Sequence, residues 1–309
     1  MSEQSKSTSI GALGLLLPSL LAMAWLVTRA KWFWNNQPDL EFGWVVLMLC
    51  AYLFYEAWEQ RPPADFRFRW WVVGAVFAGA GLLLFVQSYW AVFGMHAATV
   101  QGLALGLLCL IGANLGLVFG WKGILRFAFP FGFILIALPL PSIIYGPVVS
   151  GLQSKVATVN TEILNLMGIP AERVGSLIHL PNGTVGIDEA CSGVRSLQST
   201  IMAALFIGYV SLQSNVLRVT LLMLGMGLAV VGNLGRSLYL CLMAHWRGID
   251  SVNKVHDAAG WSVLAFTAAG VIVLAWLINK AERMALAAAE GEAEEGAGAA
   301  AESADPATH

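Results

Sequence analysis

Residues 70–93 read WWVVGAVFAGAGLLLFVQSYWAVF and contain no charged side chain. A helix of about 20 apolar residues spans the hydrocarbon core of a bilayer, so this run predicts a membrane-spanning helix. Seven further runs have a similar length and composition, at residues 10–27, 42–58, 99–120, 127–144, 194–212, 219–244 and 261–278. The sequence therefore predicts about eight transmembrane helices.

The composition points to the same class of protein. Hydrophobic residues make up 58% of the 309-residue chain and charged residues 12%, whereas a soluble domain carries about 25% charged residues. The net charge of −2 provides no basic surface for nucleic acid. The four cysteines show no CxxC spacing, which argues against a disulfide framework, and we expect no metal site and no cofactor. We predict an all-α integral membrane bundle.

The distribution of Lys and Arg predicts the orientation. These residues are more numerous in the loops that lie in the cytoplasm when the N-terminus is inside. We therefore expect a multipass protein of the cell (inner) membrane, with both termini cytoplasmic.

One membrane domain is predicted over residues 1–283, with an extracytoplasmic insert at 148–190. The first half of the insert has helical periodicity and predicts an amphipathic helix at the membrane surface, with Gln153, Lys155, Thr158 and Asn160 opposite its apolar face. The second half has two β-prone runs around Pro181-Asn182-Gly183, which predict a β-hairpin. Residues 284–309 are rich in Ala, Glu and Gly, and we expect this acidic tail to be disordered and dispensable.

The segment after the hairpin carries a candidate nucleophile. Residues 187–197 read IDEACSGVRSL. If Asp188 caps the following helix, Cys191 lies in its first turn, where backbone N–H groups favour a thiolate. Arg195, four residues later, would lower the pKa of the thiol, while Asp188 and Glu189 would raise it. The alternative is that Cys191 is a small buried residue with a structural role, which packs at the end of a helix.

Two further residues add a cation and an acid or base. Arg236 lies inside the run at 219–244, where burying its charge costs roughly 2.5 to 3.5 kcal/mol, so it must face protein, a cavity or an anion. The alternative is an arginine that binds carbonyls at a helix break. His256 lies shortly before the last run, at the outer start of the eighth span, and can exchange protons near neutral pH. His179, on the hairpin, is the other candidate for that role.

The predicted topology places Cys191, Arg236 and His256 on the extracytoplasmic side of three successive helices. Successive helices tend to be neighbours. A thiolate, a guanidinium and an imidazole at one boundary suit covalent acyl transfer, in which they supply the nucleophile, the oxyanion partner and the proton.

The sequence around these residues resembles that of the exosortase and archaeosortase family of multipass membrane transpeptidases. The similarity rests on residues 189–196, EACSGVRS, on Arg236 after small residues, and on His256 followed by Gly260. Upstream prolines, among them Pro130, Pro139 and Pro141, are similar too. One departure is that Glu41-Phe42-Gly43 stands where many members have Ser-His-Gly.

The resemblance implies a substrate class. It implies that exported proteins carry a C-terminal tag of a short motif such as Pro-Glu-Pro, a membrane helix and a basic cluster. Cleavage near the outer face would give a thioacyl enzyme, which passes its acyl group to an amine, another acceptor or water. Either Arg195 or Arg236 would suit a motif glutamate.

Other classes of protein remain as alternatives. A transporter could use Arg236 to bind an anion between broken helices, and a non-enzymatic export or assembly subunit would need none of the three residues. A rhomboid-like serine protease fits less well, because the sequence has no Gly-x-Ser-x-Gly arrangement.

Overall fold

The structure, a computed structural model, describes residues 14–187 and 193–303. Within these ranges, five helical segments are long and apolar enough to cross a membrane, namely Pro38–Glu59, Trp70–Phe93, Ala97–Ala137, Asn215–Arg247 and Lys254–Gly291. The all-α membrane class is thus confirmed, but eight spans are not found. The runs predicted at 99–120 and 127–144 correspond to the single long segment Ala97–Ala137 and the residues directly after it. The helices near residues 10–27 and 194–212 contain more polar residues.

The chain divides into two compact units, residues 1–148 and 149–309. The first unit is built from four helices and two short 3₁₀ turns among its described residues. They are α1 Leu17–Asn36, the turn Pro38–Leu40, α2 Gly43–Glu59, α3 Trp70–Phe93, α4 Ala97–Gly132 and the turn Phe133–Ala137. A fifth helix, α5 Ser142–Leu166, begins in this unit and continues into the second.

Helix α4 explains part of the difference in span number. It continues through Gly120, which has a positive φ of 68° and kinks the helix. At the kink, Arg69 Nη1 donates a hydrogen bond to the Gly116 carbonyl at 3.0 Å. The helix then ends at Gly132, and the predicted run at 127–144 is interrupted by the 3₁₀ turn and by Pro139 and Pro141.

The second unit continues with a small antiparallel sheet and three helices. The elements are β1 Glu172–Val174, β2 Leu177–Leu180, β3 Gly183–Gly186, α6 Val194–Ser211, α7 Asn215–Arg247 and α8 Ile249–Ser303. Strands β2 and β3 pair with Ile178 opposite Val185 and Leu180 opposite Gly183, as the predicted hairpin requires. Strand β1, which pairs with β2, was not predicted.

The sheet packs on the C-terminal half of α7. Alternate sheet residues Ile178, Leu180 and Val185 are buried in one cluster with Leu240 and Cys241 of α7. Burial of each large apolar side chain contributes about 1.5 to 3 kcal/mol, so this contact holds the hairpin firmly on the helix.

Helix α5 is amphipathic, and its buried face matches the predicted one only in part. The buried residues are Val149 and Val156, which were predicted on the apolar face, and Ala157, Asn160 and Leu164, which were not. Asn160 was predicted on the polar face, yet its residue is 0% exposed. The periodicity was misleading because a polar side chain can be buried where it has a hydrogen-bond partner.

A single glycine connects α7 and α8. Gly248 has a φ of 83°, and its N–H donates to the Ala244 carbonyl at 3.1 Å, which ends α7. Helix α8 then runs to Ser303, through most of the tail that was predicted to be disordered. Ala and Glu have high intrinsic helix propensity, which favours a helix in this composition.

Candidate active site

Arg236 and His256 come together between α7 and α8. Arg236 Nη2 lies 3.2 Å from His256 Nε2 and 3.5 Å from the His256 carbonyl oxygen. A guanidinium has only donors, so His256 Nε2 is the acceptor in this contact. The interaction that the sequence predicted between successive helices is therefore present for these two residues.

Asp257 extends this arrangement on the other side of the imidazole. Its Oδ1 lies 3.2 Å from His256 Nδ1, where it can accept the proton of that nitrogen. The Asp257 side chain is 93% exposed, whereas that of His256 is 28% exposed. Because solvent screens an exposed carboxylate, Asp257 orients the ring more than it stabilises a charge.

The guanidinium of Arg236 also lies against Gly260, one helical turn after His256. A Cβ atom at Gly260 would lie 3.4 Å from Arg236 Nη2. The small residue leaves room for the planar group beside α8. Arg236 thus faces protein and a neighbouring imidazole, as a cation in a membrane helix must.

The segment that follows Cys191 contacts α7 one turn before Arg236. Gly193 precedes the first residue of α6 in a left-handed conformation, with a φ of 82°. The Asn233 side chain occupies the space where a Cβ atom at Gly193 would project. Only glycine suits both the backbone conformation and this close approach.

Helix α6 begins at Val194, where the predicted run at 194–212 begins, and exposed Arg195 is its second residue. Asp188, Glu189 and Cys191 lie outside the described residues. Their roles remain predictions.

His179 does not face the same surface as the buried sheet residues. It alternates along β2 with Ile178 and Leu180, which are buried, and is itself exposed. Its Nδ1 lies 2.7 Å from Thr184 Oγ1 on the adjacent strand. Of the two candidate histidines, His256 is the one that contacts Arg236.

Two polar residues near Arg236 were not selected from the sequence. Ser237 follows Arg236 and binds Asn160, and Asn233 precedes it by one turn. Gly193, Asn233 and Val156 also line a narrow, mainly apolar cavity. Only their position beside an intramembrane arginine could have identified these residues from the sequence.

Within the described part of the chain, His, Cys, Asp and Glu side chains form no cluster of three that could hold a metal ion.

A family model described as transmembrane exosortase matches residues 34–274, which include all three predicted catalytic positions. The chain belongs to the transmembrane exosortase family. The resemblance inferred from the sequence is confirmed, and membership in the family supports a membrane transpeptidase role in general. Comparisons with curated proteins and with solved structures find no match.

Proposed function

We propose that this exosortase is a membrane-embedded cysteine protease or transpeptidase whose nucleophile is Cys191. The observation that carries the proposal is the contact between Arg236 Nη2 and His256 Nε2, 3.2 Å apart on adjacent helices. A donor that suits an oxyanion and a group that suits proton transfer are thus adjacent, which supports the proposal. Both groups are needed beside a thiol for acyl transfer.

Both ends of the segment that contains Cys191 lie near α7, on either side of Arg236 along that helix. Ile187 belongs to the buried cluster that includes Leu240, and Gly193 packs against Asn233. Two residues span at most about 7 Å, so the covalent chain limits how far Cys191 can lie from Gly193. The described residues on both sides of this segment thus contact the helix that carries Arg236, which supports the choice of Cys191 as the nucleophile.

The proposed reaction begins with transfer of the Cys191 thiol proton to His256 Nε2. The thiolate attacks the carbonyl carbon of a substrate peptide bond, a C–S bond forms, and Arg236 donates hydrogen bonds to the resulting oxyanion. Collapse of this intermediate breaks the C–N bond, and His256 returns the proton to the departing amine. The product is a thioester on Cys191.

Proton transfer would also change the contact between Arg236 and His256. Once Nε2 is protonated, it no longer accepts a hydrogen bond from Nη2, and the two cations repel each other. The guanidinium donor is then available to the oxyanion at the step that needs it. An amine, another acceptor or water would attack the thioester and regenerate the thiol.

The substrate class follows from the family, which acts on exported proteins that carry sorting signals. We propose that this chain cleaves a C-terminal motif that a membrane helix holds beside the bundle, on the extracytoplasmic side. Arg195 is exposed at the start of α6 and could bind an acidic motif residue.

The test is processing of a reporter that ends in Pro-Glu-Pro, a membrane helix and a basic cluster. We expect Cys191→Ala and His256→Ala to abolish processing while the protein still inserts into the membrane. The matched controls are Cys109→Ala and His179→Ala, which change exposed residues of the same types. Normal processing by Cys191→Ala would refute the cysteine mechanism and favour a transporter or an assembly subunit.

A further inference from the structure

A buried polar pair lies next to Arg236, on α5 and α7. Asn160 and Ser237 are 0% and 1% exposed. Asn160 Nδ2 donates a hydrogen bond to Ser237 Oγ, and Ser237 Oγ donates to the Leu234 carbonyl at 3.1 Å. The serine hydrogen is already used, so the hydroxyl accepts from the asparagine amide and fixes its orientation.

The pair is unfavourable for stability alone. Asn160 Oδ1 is buried and has no hydrogen-bond partner, while Val156, Ala157 and Leu164 on the same helix face belong to an apolar cluster. Leaving a buried acceptor unsatisfied costs free energy that an apolar side chain of similar shape would avoid. We therefore attribute the pair to the orientation that it imposes on α7.

That geometry concerns the rotation of α7 about its own axis. Successive residues of an α-helix point about 100° apart, and here Ser237 faces α5 while Arg236 faces His256 on α8. Apolar contacts between helices are non-directional and permit small rotations, whereas a hydrogen bond between buried groups restricts them. Fixing Ser237 thus fixes the direction of Arg236.

We propose that Asn160 and Ser237 are positioning residues that hold the guanidinium of Arg236 against His256. The inference rests on the proposed function, in which those two groups serve the reaction. Asn160 acts from a helix that carries none of the three proposed catalytic residues. The pair affects catalysis through alignment and touches no substrate.

The experiment compares Asn160→Leu, Ser237→Ala and the double variant in the reporter assay on purified, reconstituted full-length protein. We expect kcat to fall by about 10-fold to 100-fold with KM nearly unchanged, because a small misplacement of a catalytic group has effects of this size. Asn160→Leu should keep or raise the thermal unfolding midpoint. The double variant should lose no more activity than the single ones.

The control is Thr200→Val. Thr200 is 3% exposed and also has a buried oxygen with no hydrogen-bond partner, but it lies on α6 near Gly225, 11 residues before Arg236 on α7. We expect wild-type kcat in this variant. Unchanged kcat in Asn160→Leu, or a loss of kcat that follows a fall in thermal stability, would overturn the inference.

A second measurement separates this inference from the proposed function. The ¹⁵N chemical shift of His256 Nε2 reports its contact with Arg236 without any reaction, and His256→Gln assigns the signal. The shift should change in Asn160→Leu and stay constant in Thr200→Val; a constant shift in both would refute the positioning role. Normal processing by Cys191→Ala would refute only the cysteine mechanism.

Discussion

Arg236 makes two contacts that depend on the shape of its side chain. Its guanidinium lies 3.2 Å from His256 Nε2 and also covers Gly260. A planar group with several N–H donors can contact the imidazole and donate to an oxyanion from one side chain. A lysine ammonium is a point charge on a flexible stem and cannot reproduce this geometry.

Arg236→Lys should therefore lose most activity although the charge is kept. We expect kcat to fall by about 100-fold or more, the typical effect of removing one oxyanion donor. Reporter processing by membranes with equal amounts of inserted protein measures the change. Arg218→Lys is the control, because Arg218 binds the Leu212 carbonyl near the opposite end of α7. Turnover close to wild type in Arg236→Lys would remove the oxyanion role from Arg236.

At the scale of elements, the start of α6 determines where the segment with Cys191 leaves the helix. Gly193 adopts a φ of 82° and packs against the Asn233 side chain on α7. A left-handed conformation costs a residue with a Cβ atom roughly 1 to 2 kcal/mol. The added methyl group would also displace Asn233.

Gly193→Ala should accordingly lower the thermal unfolding midpoint and reduce processing about tenfold or more, since a displaced nucleophile reacts poorly. The control is Gly235→Ala on α7, where a Cβ atom meets nothing within 4 Å. Alanine favours helix more than glycine does, so this control should be neutral or slightly stabilising. Equal behaviour of the two variants would show that the α6 start does not position the nucleophile.

The elements also show what the sequence could and could not predict. Hydropathy located α3, α7 and the membrane part of α8, and the turn residues at 181–183 located the hairpin. Asn160 was assigned to the wrong face because its partner, Ser237, is 77 residues away in the sequence. The run predicted at 99–120 ends at Gly120, where α4 kinks, but the continuation of the helix to Gly132 was not predicted.

For the candidate site, the order of the helices along the chain predicted that Arg236 and His256 lie close together. The run predicted at 194–212 also located the first residue of α6, but the left-handed conformation of Gly193 was not predicted, since it depends on contact with α7. The buried pair next to Arg236 was also missed. Such residues are recognisable only when the packing of α5 against α7 is known.

At the scale of the whole molecule, the account depends on the side of the membrane that Cys191 faces. The family establishes a multipass membrane protein, and the Lys and Arg distribution predicts an extracytoplasmic active site. The chain has four cysteines, at positions 50, 109, 191 and 241. Replacing the other three by alanine leaves Cys191 as the single thiol that can be labelled.

The decisive measurement is the rate at which a membrane-impermeant maleimide labels this variant in intact cells. We predict labelling of Cys191 from outside, at a rate that falls about tenfold in His256→Ala, because the thiolate loses its proton acceptor. Full labelling after denaturation confirms that the thiol is intact. Labelling only after the cytoplasmic side is made accessible, or a rate that does not depend on His256, would contradict the proposed active site.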